Sequence, residues 1–392
     1  MVHETQEIIV GFDLGYEYSQ LTFYGRNNTE PLTLSLVQGE KQYRLPTPKD
    51  LFALVEQRAD SGVLLLSGFF EECFHLLAGN ESIQNIAIMV TMKMMKGVWA
   101  RAITEALERL GIDRKKIYLQ GHLESFYYYL LNQKQELWRV GSVLLEYERE
   151  SIVGYELSID YHTKPAIVRI QQSFHLYLDA KAQGNLEGQA WNQEKDQLLL
   201  HQCQKMLRDK KLTSVFLVGE QFGQEWMQRS LQFICQQRHV FQGGNLYTKG
   251  ACYGAMKQHK NLPIGNFLFI GKDLVKQNIN IPVMEKGQER HHTLVSAGLN
   301  WYMVRQACEI LIDDKPEIIL YSRSMNGEEM VHTIALTDLP ARPKRATRIR
   351  MEIVFTASDE CHVYLEDLGL GSLYPTSGKK WESVLKFDNT YE

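Results

Sequence analysis

The chain lacks most of the features that would announce a function on first reading. Its six cysteines, Cys73, Cys203, Cys235, Cys252, Cys308 and Cys361, are scattered with no C-x-x-C pair. That excludes a thiolate zinc site and a disulfide framework, and predicts free thiols in a reducing, cytoplasmic setting. There is no surplus of charge: 43 Lys and Arg against 47 Asp and Glu give a net charge of -4, so nothing electrostatic draws the chain to nucleic acid. No apolar run is long enough to insert in a membrane. The opening MVHETQEI has neither the basic start nor the apolar core of a signal peptide. Histidines at His122, His162, His175, His291 and His292 do not follow ligand spacing on a helix face. The one basic cluster, Arg342, Lys344, Arg345, Arg348 and Arg350, lies in a Pro-broken stretch and reads as the decoration of a linker.

What is present is a 392-residue chain, 44% hydrophobic and 23% charged, long enough for two or three domains with real cores. Residues 7–25, EIIVGFDLGYEYSQLTFYG, form two strand-like runs joined by a turn that carries Asp13 and Gly15. Such a turn is either an ordinary hairpin or an anion-binding loop. In the second case Gly15 admits a phosphate to backbone N–H groups, Asp13 holds a hydrated divalent cation, and Ser19 donates a hydroxyl. Beyond it, strand and helix patterns alternate to about residue 260. They include a helix near 67–78, a buried strand in IQNIAIMVT (83–91), an amphipathic helix in KGVWARAITEALERLGI and a helix in HLESFYYYLLNQ, whose tyrosines read as core. A second hairpin follows in VGSVLLEYERESIVGYELSI (140–159), then a helix near 191–208 and the strand SVFLVGE (214–220). This alternation predicts a layered α/β domain. After Asn261-Leu262-Pro263-Ile264-Gly265 come short alternating segments beginning with NFLFIG, which predict a β-sandwich of about seven strands, with a helix only at about 295–309.

In this order, FDLGYEYSQ, the stretch from IAIMVT to HLESFYYYL, SVFLVGEQFGQEW, NLYTKGACYGA and the C-terminal run from IALTDLPARPKR to HVYLEDLG resemble the actin and heat-shock ATPase superfamily, specifically the DnaK-type chaperones. The resemblance implies a reduced, two-lobed actin-like α/β fold, with lobe I over 1–140 and lobe II over 141–262, followed by a substrate-binding-like β-sandwich over 263–392. It implies ATP or ADP with Mg as cofactor. Asp13 would orient the metal, Gln120 would orient the attacking water, and Gly15, Tyr16, Ser19, Gln20, Glu146, Gly219, Glu220 and Phe222 would line the nucleotide. Its β domain would bind a polypeptide or partner protein, in a bacterial cytoplasm.

The sequence departs from that family at the second phosphate loop. Where the family has an Asp and a run of glycines, Glu146-Tyr147-Glu148-Arg149-Glu150-Ser151 has no glycine and three carboxylates. Bulky side chains obstruct backbone approach to phosphate, and like charges a few Å apart repel by ~1 kcal/mol even in water. Most of the base-enclosing subdomain is missing between Phe174 and Ser214. The catalytic lysine has only Lys41 and Lys49 as nearby candidates, and no helical lid follows the β region. The expected protein is a non-hydrolysing scaffold or nucleotide-sensing adaptor, which binds nucleotide without turnover or binds none. A slow ATP-dependent chaperone is the alternative, and a filament-type actin relative a third.

Overall fold

A computed structural model describes residues 7–25, 28–36, 43–78, 85–179, 186–208, 210–223, 225–260, 265–313, 315–325 and 327–387. The chain divides into two compact units, Met1–Gly271 and Lys272–Glu392, the first mixed α/β and the second all-β. Of the expected boundary at 261–265, residues 261–264 lie outside the described residues, as does Lys41.

In the first unit, β1 (Ile8–Asp13) and β2 (Tyr18–Tyr24) form the predicted hairpin, flanked by the short strands β3 (Leu32–Thr33) and β4 (Leu45–Pro46). Helices α1 (Leu51–Glu56) and α2 (Asp60–Ala78) lead to β5 (Ile86–Met92), all seven residues of which are buried. Then come α3 (Gly97–Arg109), β6 (Ile117–Gly121) and α4 (His122–Leu131). The second half repeats the plan with β7 (Ser142–Glu148), β8 (Ser151–Asp160), β9 (Ala166–Tyr177), α5 (Gly188–Leu207), β10 (Ser214–Val218), α6 (Arg229–Ile234), β11 (His239–Gln242) and α7 (Leu246–Lys260). The sheets run β3-β2-β1-β5-β6 and β11-β10-β7-β8-β9, with β4 added on β2 and β12 (Phe267–Phe269) on β9. Each half therefore places its first strand at the centre, antiparallel to the second (β2, β8) and parallel to the first strand that follows a helix (β5, β10). NFLFIG, which the sequence groups with the β region, supplies β12 and so completes the second sheet instead.

Each sheet is covered by the helix that the other half supplies. α4 follows the first sheet but buries Phe126, Tyr127 and Leu130 against Leu144, Leu157, Val168 and Phe216 of the second. α7 follows the second sheet but packs Ala251, Cys252 and Ala255 on Ile9 and Met89 of the first. Two glycines permit this exchange. A Cβ on Gly11 would fall 2.2 Å from the Cys252 amide nitrogen, and one on Gly250 would fall 1.9 Å from the Ser125 carbonyl oxygen. Any larger residue would push α7 off β1 or off α4.

Among the described residues the second unit holds eight strands in two antiparallel sheets: β13 (Gln277–Glu285), β14 (Gln288–Val295), β15 (Arg305–Ile312), β16 (Glu317–Ser324), β17 (Glu329–Ala335), β18 (Thr347–Ala357), β19 (Glu360–Asp367) and β20 (Lys380–Lys386). The orders are β14-β13-β16-β17 and β15-β18-β19-β20. Inward residues of both sheets, among them Ile279, Leu320, Ile349, Ile353, Val363 and Leu365, share one core, as in a sandwich. Of the helix expected at about 295–309, only a single 3-10 turn, Trp301–Met303, forms. Arg305–Ile312 alternates in burial and pairs along its whole length with β18, and that ladder overrides local propensity.

The basic cluster is not a linker. Arg350 lies on β18 in a row that reads Glu309, Arg350, Glu366, Lys380 across four strands, so opposite charges alternate. The Arg342 side chain is buried and donates from both terminal nitrogens to Asp367, at 2.9 and 2.8 Å. Among the cysteines, Cys73, Cys203, Cys252 and Cys361 are buried and free, and burial pushes the Cys203 and Cys361 thiols up to about 12. Cys235 is exposed.

Candidate functional site at the two hairpin tips

The β1–β2 tip and the β7–β8 tip face one another in the first unit, and side chains link them. His122 opens α4 directly after Gly121, and its Nε2 lies 2.8 Å from Asp13 Oδ1. Its Nδ1 lies 3.8 Å from Glu146 Oε1 and has no hydrogen-bond partner among the described residues. The imidazole stacks on Tyr247 of α7, with centroids 3.9 Å apart and planes 14° from parallel. The Tyr247 hydroxyl donates to Glu146 Oε1 at 3.0 Å. From the end of β5, Lys93 reaches Glu146 Oε2 at 3.1 Å and also pairs with Glu148.

These contacts fix the charges. Burial alone would lower the His122 pKa, but Asp13 and Glu146 outweigh it and raise it to about 9, so the ring is an imidazolium at neutral pH. Burial would raise the Glu146 carboxyl, but the neighbouring His122 imidazolium and the charge of Lys93 bring it down to about 2. Lys93 is raised as well: burial opposes its charge, and Glu146 and Glu148 prevail. The site is thus a chain of alternating charge, Asp13, His122, Glu146, Lys93, Glu148, running from one tip to the other.

Further out, the Arg149 guanidinium sits 5.6 Å from the ring centroid of Tyr16, which also lies edge-on to Phe52. Arg149 has a left-handed φ of 52°, as a tight turn without glycine requires. Arg44 pairs with Glu220. Gln20 Nε2 donates to the Gly244 carbonyl at 2.6 Å, and Asn245 Nδ2 to Thr33 Oγ1 at 2.9 Å.

The residues that the sequence singled out are therefore placed as follows. Asp13 and Glu146 converge on His122. Tyr16, Gln20 and Glu220 make links between the halves. Gly15 turns its N–H onto Ser19 Oγ at 3.3 Å, and its carbonyl accepts from Thr47 Oγ1 at 2.8 Å. Ser19 is fully buried against Thr47. Gly219, at φ 124°, fits where a Cβ would lie 2.2 Å from the Tyr147 carbonyl oxygen. Phe222 is buried and meets Tyr147 edge-on. Gln120 is fully buried; it donates to Ser125 Oγ at 2.7 Å, while its Oε1 has no partner among the described residues. Lys49 is exposed. The centre of the site, His122, and its neighbours Lys93 and Tyr247 were missed as a group. The one local signal was a histidine at the first position of a helix that follows a buried strand.

Among the described residues, no group of three or more His, Cys, Asp or Glu is arranged to hold a metal ion, and no helix is long and apolar enough to cross a membrane. Two family models match the chain. One, described as the C-terminal part of a family of unknown function, DUF5716, covers residues 49–272; the other, a domain of unknown function, DUF8552, covers 274–387. The matches meet where the two compact units divide. No curated protein matches the chain.

Proposed function

The chain belongs to the family of unknown function DUF5716, and from the linked tips of its first unit we propose an actin-like scaffold that works without nucleotide. The repeated sheet order, with each half's first strand central and its terminal helix covering the other half, supports the actin-like reading. The β-sandwich is the unit that engages a polypeptide or partner protein in this proposal.

One observation carries the loss of nucleotide chemistry: the groups that would meet a metal–triphosphate are occupied by one another. Asp13 is committed to His122, and the Gly15 N–H to Ser19. The second tip offers carboxylates where phosphate needs donors. The residues therefore do not fit ATP with Mg. A phosphate oxygen ~4 Å from Glu146 would be repelled by about 4 kcal/mol at an effective dielectric of 20. Freeing Asp13 would also forfeit a charge-assisted hydrogen bond of about 1.5–3 kcal/mol. Phosphoryl transfer depends almost wholly on positioning and charge neutralisation, and this arrangement provides neither.

Calorimetric titration with ATP or ADP and Mg²⁺ tests the reading, with no binding heat as the expected result. Micromolar binding that Asp13→Ala abolishes would replace the scaffold with a nucleotide sensor. Turnover would establish the slow ATPase.

A further inference from the structure

Among the described residues the sandwich has four edge strands, and three of them are guarded. β14 carries Glu289 and Arg290, β15 carries Arg305 and Glu309, and β20 carries Lys380, Glu382 and Lys386. Charges so placed discourage another chain from adding to an open edge. β17, EMVHTIA, differs. Its sole charge is Glu329 at its first residue, already paired with Arg323 at 3.6 Å. Beyond it, Met330 and Val331 are 44% and 60% exposed. Among the described residues its one strand partner is β16.

We propose that β17 pairs antiparallel with β17 of a second copy of this chain, about a two-fold axis through His332, so that two four-stranded sheets become one continuous sheet. The strand's own sequence selects a copy as the occupant. In this register Glu329 faces Ala335, Met330 faces Ile334, Val331 faces Thr333, and His332 faces itself, so no like-charged carboxylates or ammonium groups oppose each other. Met330 and Ile334 lie on the same side of the strand, and Ile334 belongs to the core. Pairing sets the exposed Met330 beside the partner's Ile334 and extends both cores across the seam. His332 faces inward against Phe387, at 5.8 Å, and shares a 2.9 Å hydrogen bond with Ser322. Burial lowers its pKa, so the two central rings are uncharged at neutral pH. The interface is isologous, as a closed dimer requires.

Sedimentation of the full chain over a wide concentration range tests this. Self-association to twice the chain mass is expected, with Val331→Lys reduced to the chain mass and its thermal unfolding matching that of the wild type at dilutions where both are monomeric. A wild-type chain that stays monomeric, or a dimer that survives Val331→Lys, overturns the proposal. The double variant V331C/T333C provides a second readout. Residues two apart on one strand are about 7 Å apart, too far for a disulfide within the chain, whereas opposed residues at the seam are in range. A covalent dimer on oxidation, absent from the wild type and from each single variant, supports the seam; its absence argues against it. Hydrogen-exchange protection over 329–335 that depends on added unfolded polypeptide and not on protein concentration would make the edge a peptide site and overturn the pairing.

Discussion

In the β unit, Asp367 accepts both terminal nitrogens of Arg342 and three further hydrogen bonds, from Gly369 N, Ser377 N and Ser377 Oγ. In the first unit, His122 is held between two carboxylates but completes a hydrogen bond to only one, leaving Nδ1 3.8 Å from the other. Both groups are ionic and withdrawn from water. They differ in completion, and completion separates a clamp from a contact that can yield. The saturated carboxylate fixes the approach of the 367–377 turn to the 342 region, with its pKa driven far below the usual range chiefly by Arg342. The half-satisfied imidazolium ties two sheets through a short chain of charges.

The largest expected effect comes from emptying the clamp. Arg342→Ala leaves Asp367 charged, buried and short of its main partner, and should cost about 3–5 kcal/mol. Hydrogen exchange across β18 and β19 measures it, and a loss under ~1 kcal/mol would erase the contrast. The pH dependence of the first unit comes next. The raised His122 pKa stabilises fully below 6.5, and the gain is lost as pH rises through about 9. The lowered Glu146 pKa stabilises fully above 4.5, and that gain is lost as pH falls toward about 2. The contribution of the site should therefore peak between pH 4.5 and 6.5, and His122→Gln should remove the alkaline decline; an unchanged alkaline limb in denaturant melts would show that the ring is not charged. The smallest effect belongs to Lys93→Met. Lys93 is 41% exposed, so solvent screens its pairs and the expected loss is about 1 kcal/mol or less, shrinking further in high salt.

Local pattern accounts for what could be read beforehand. The β1–β2 and β7–β8 hairpins, the apolar run Ile86–Val90 of β5 and the amphipathic α3 all follow from residue order over a dozen positions. The sandwich was legible for the same reason, except at NFLFIG, which pairs with β9 of the first unit, and at 295–309, where pairing with β18 decided the outcome. The site was legible by halves. Asp13 and Glu146 stood out as acids at strand ends, but the imidazole that joins them comes from a third element and its stacking partner from a helix more than a hundred residues on. Arg342 was misread because a buried bidentate partner 25 residues away leaves no trace in composition. Gln120 was read as a water-orienting residue by likeness alone, and it lies in a sealed hydrogen-bond row with Ser125 and Thr91.

The exchange of roofs between the two sheets makes each half of the first unit incomplete without the other. If the backbone were severed in the turn between α4 and β7, the leading fragment would carry a helix with no floor beneath its aromatic side, and a sheet open to solvent along Ile9 and Met89. The trailing fragment would show the converse. Each piece would aggregate by itself, and the two would regain native circular dichroism only when expressed together.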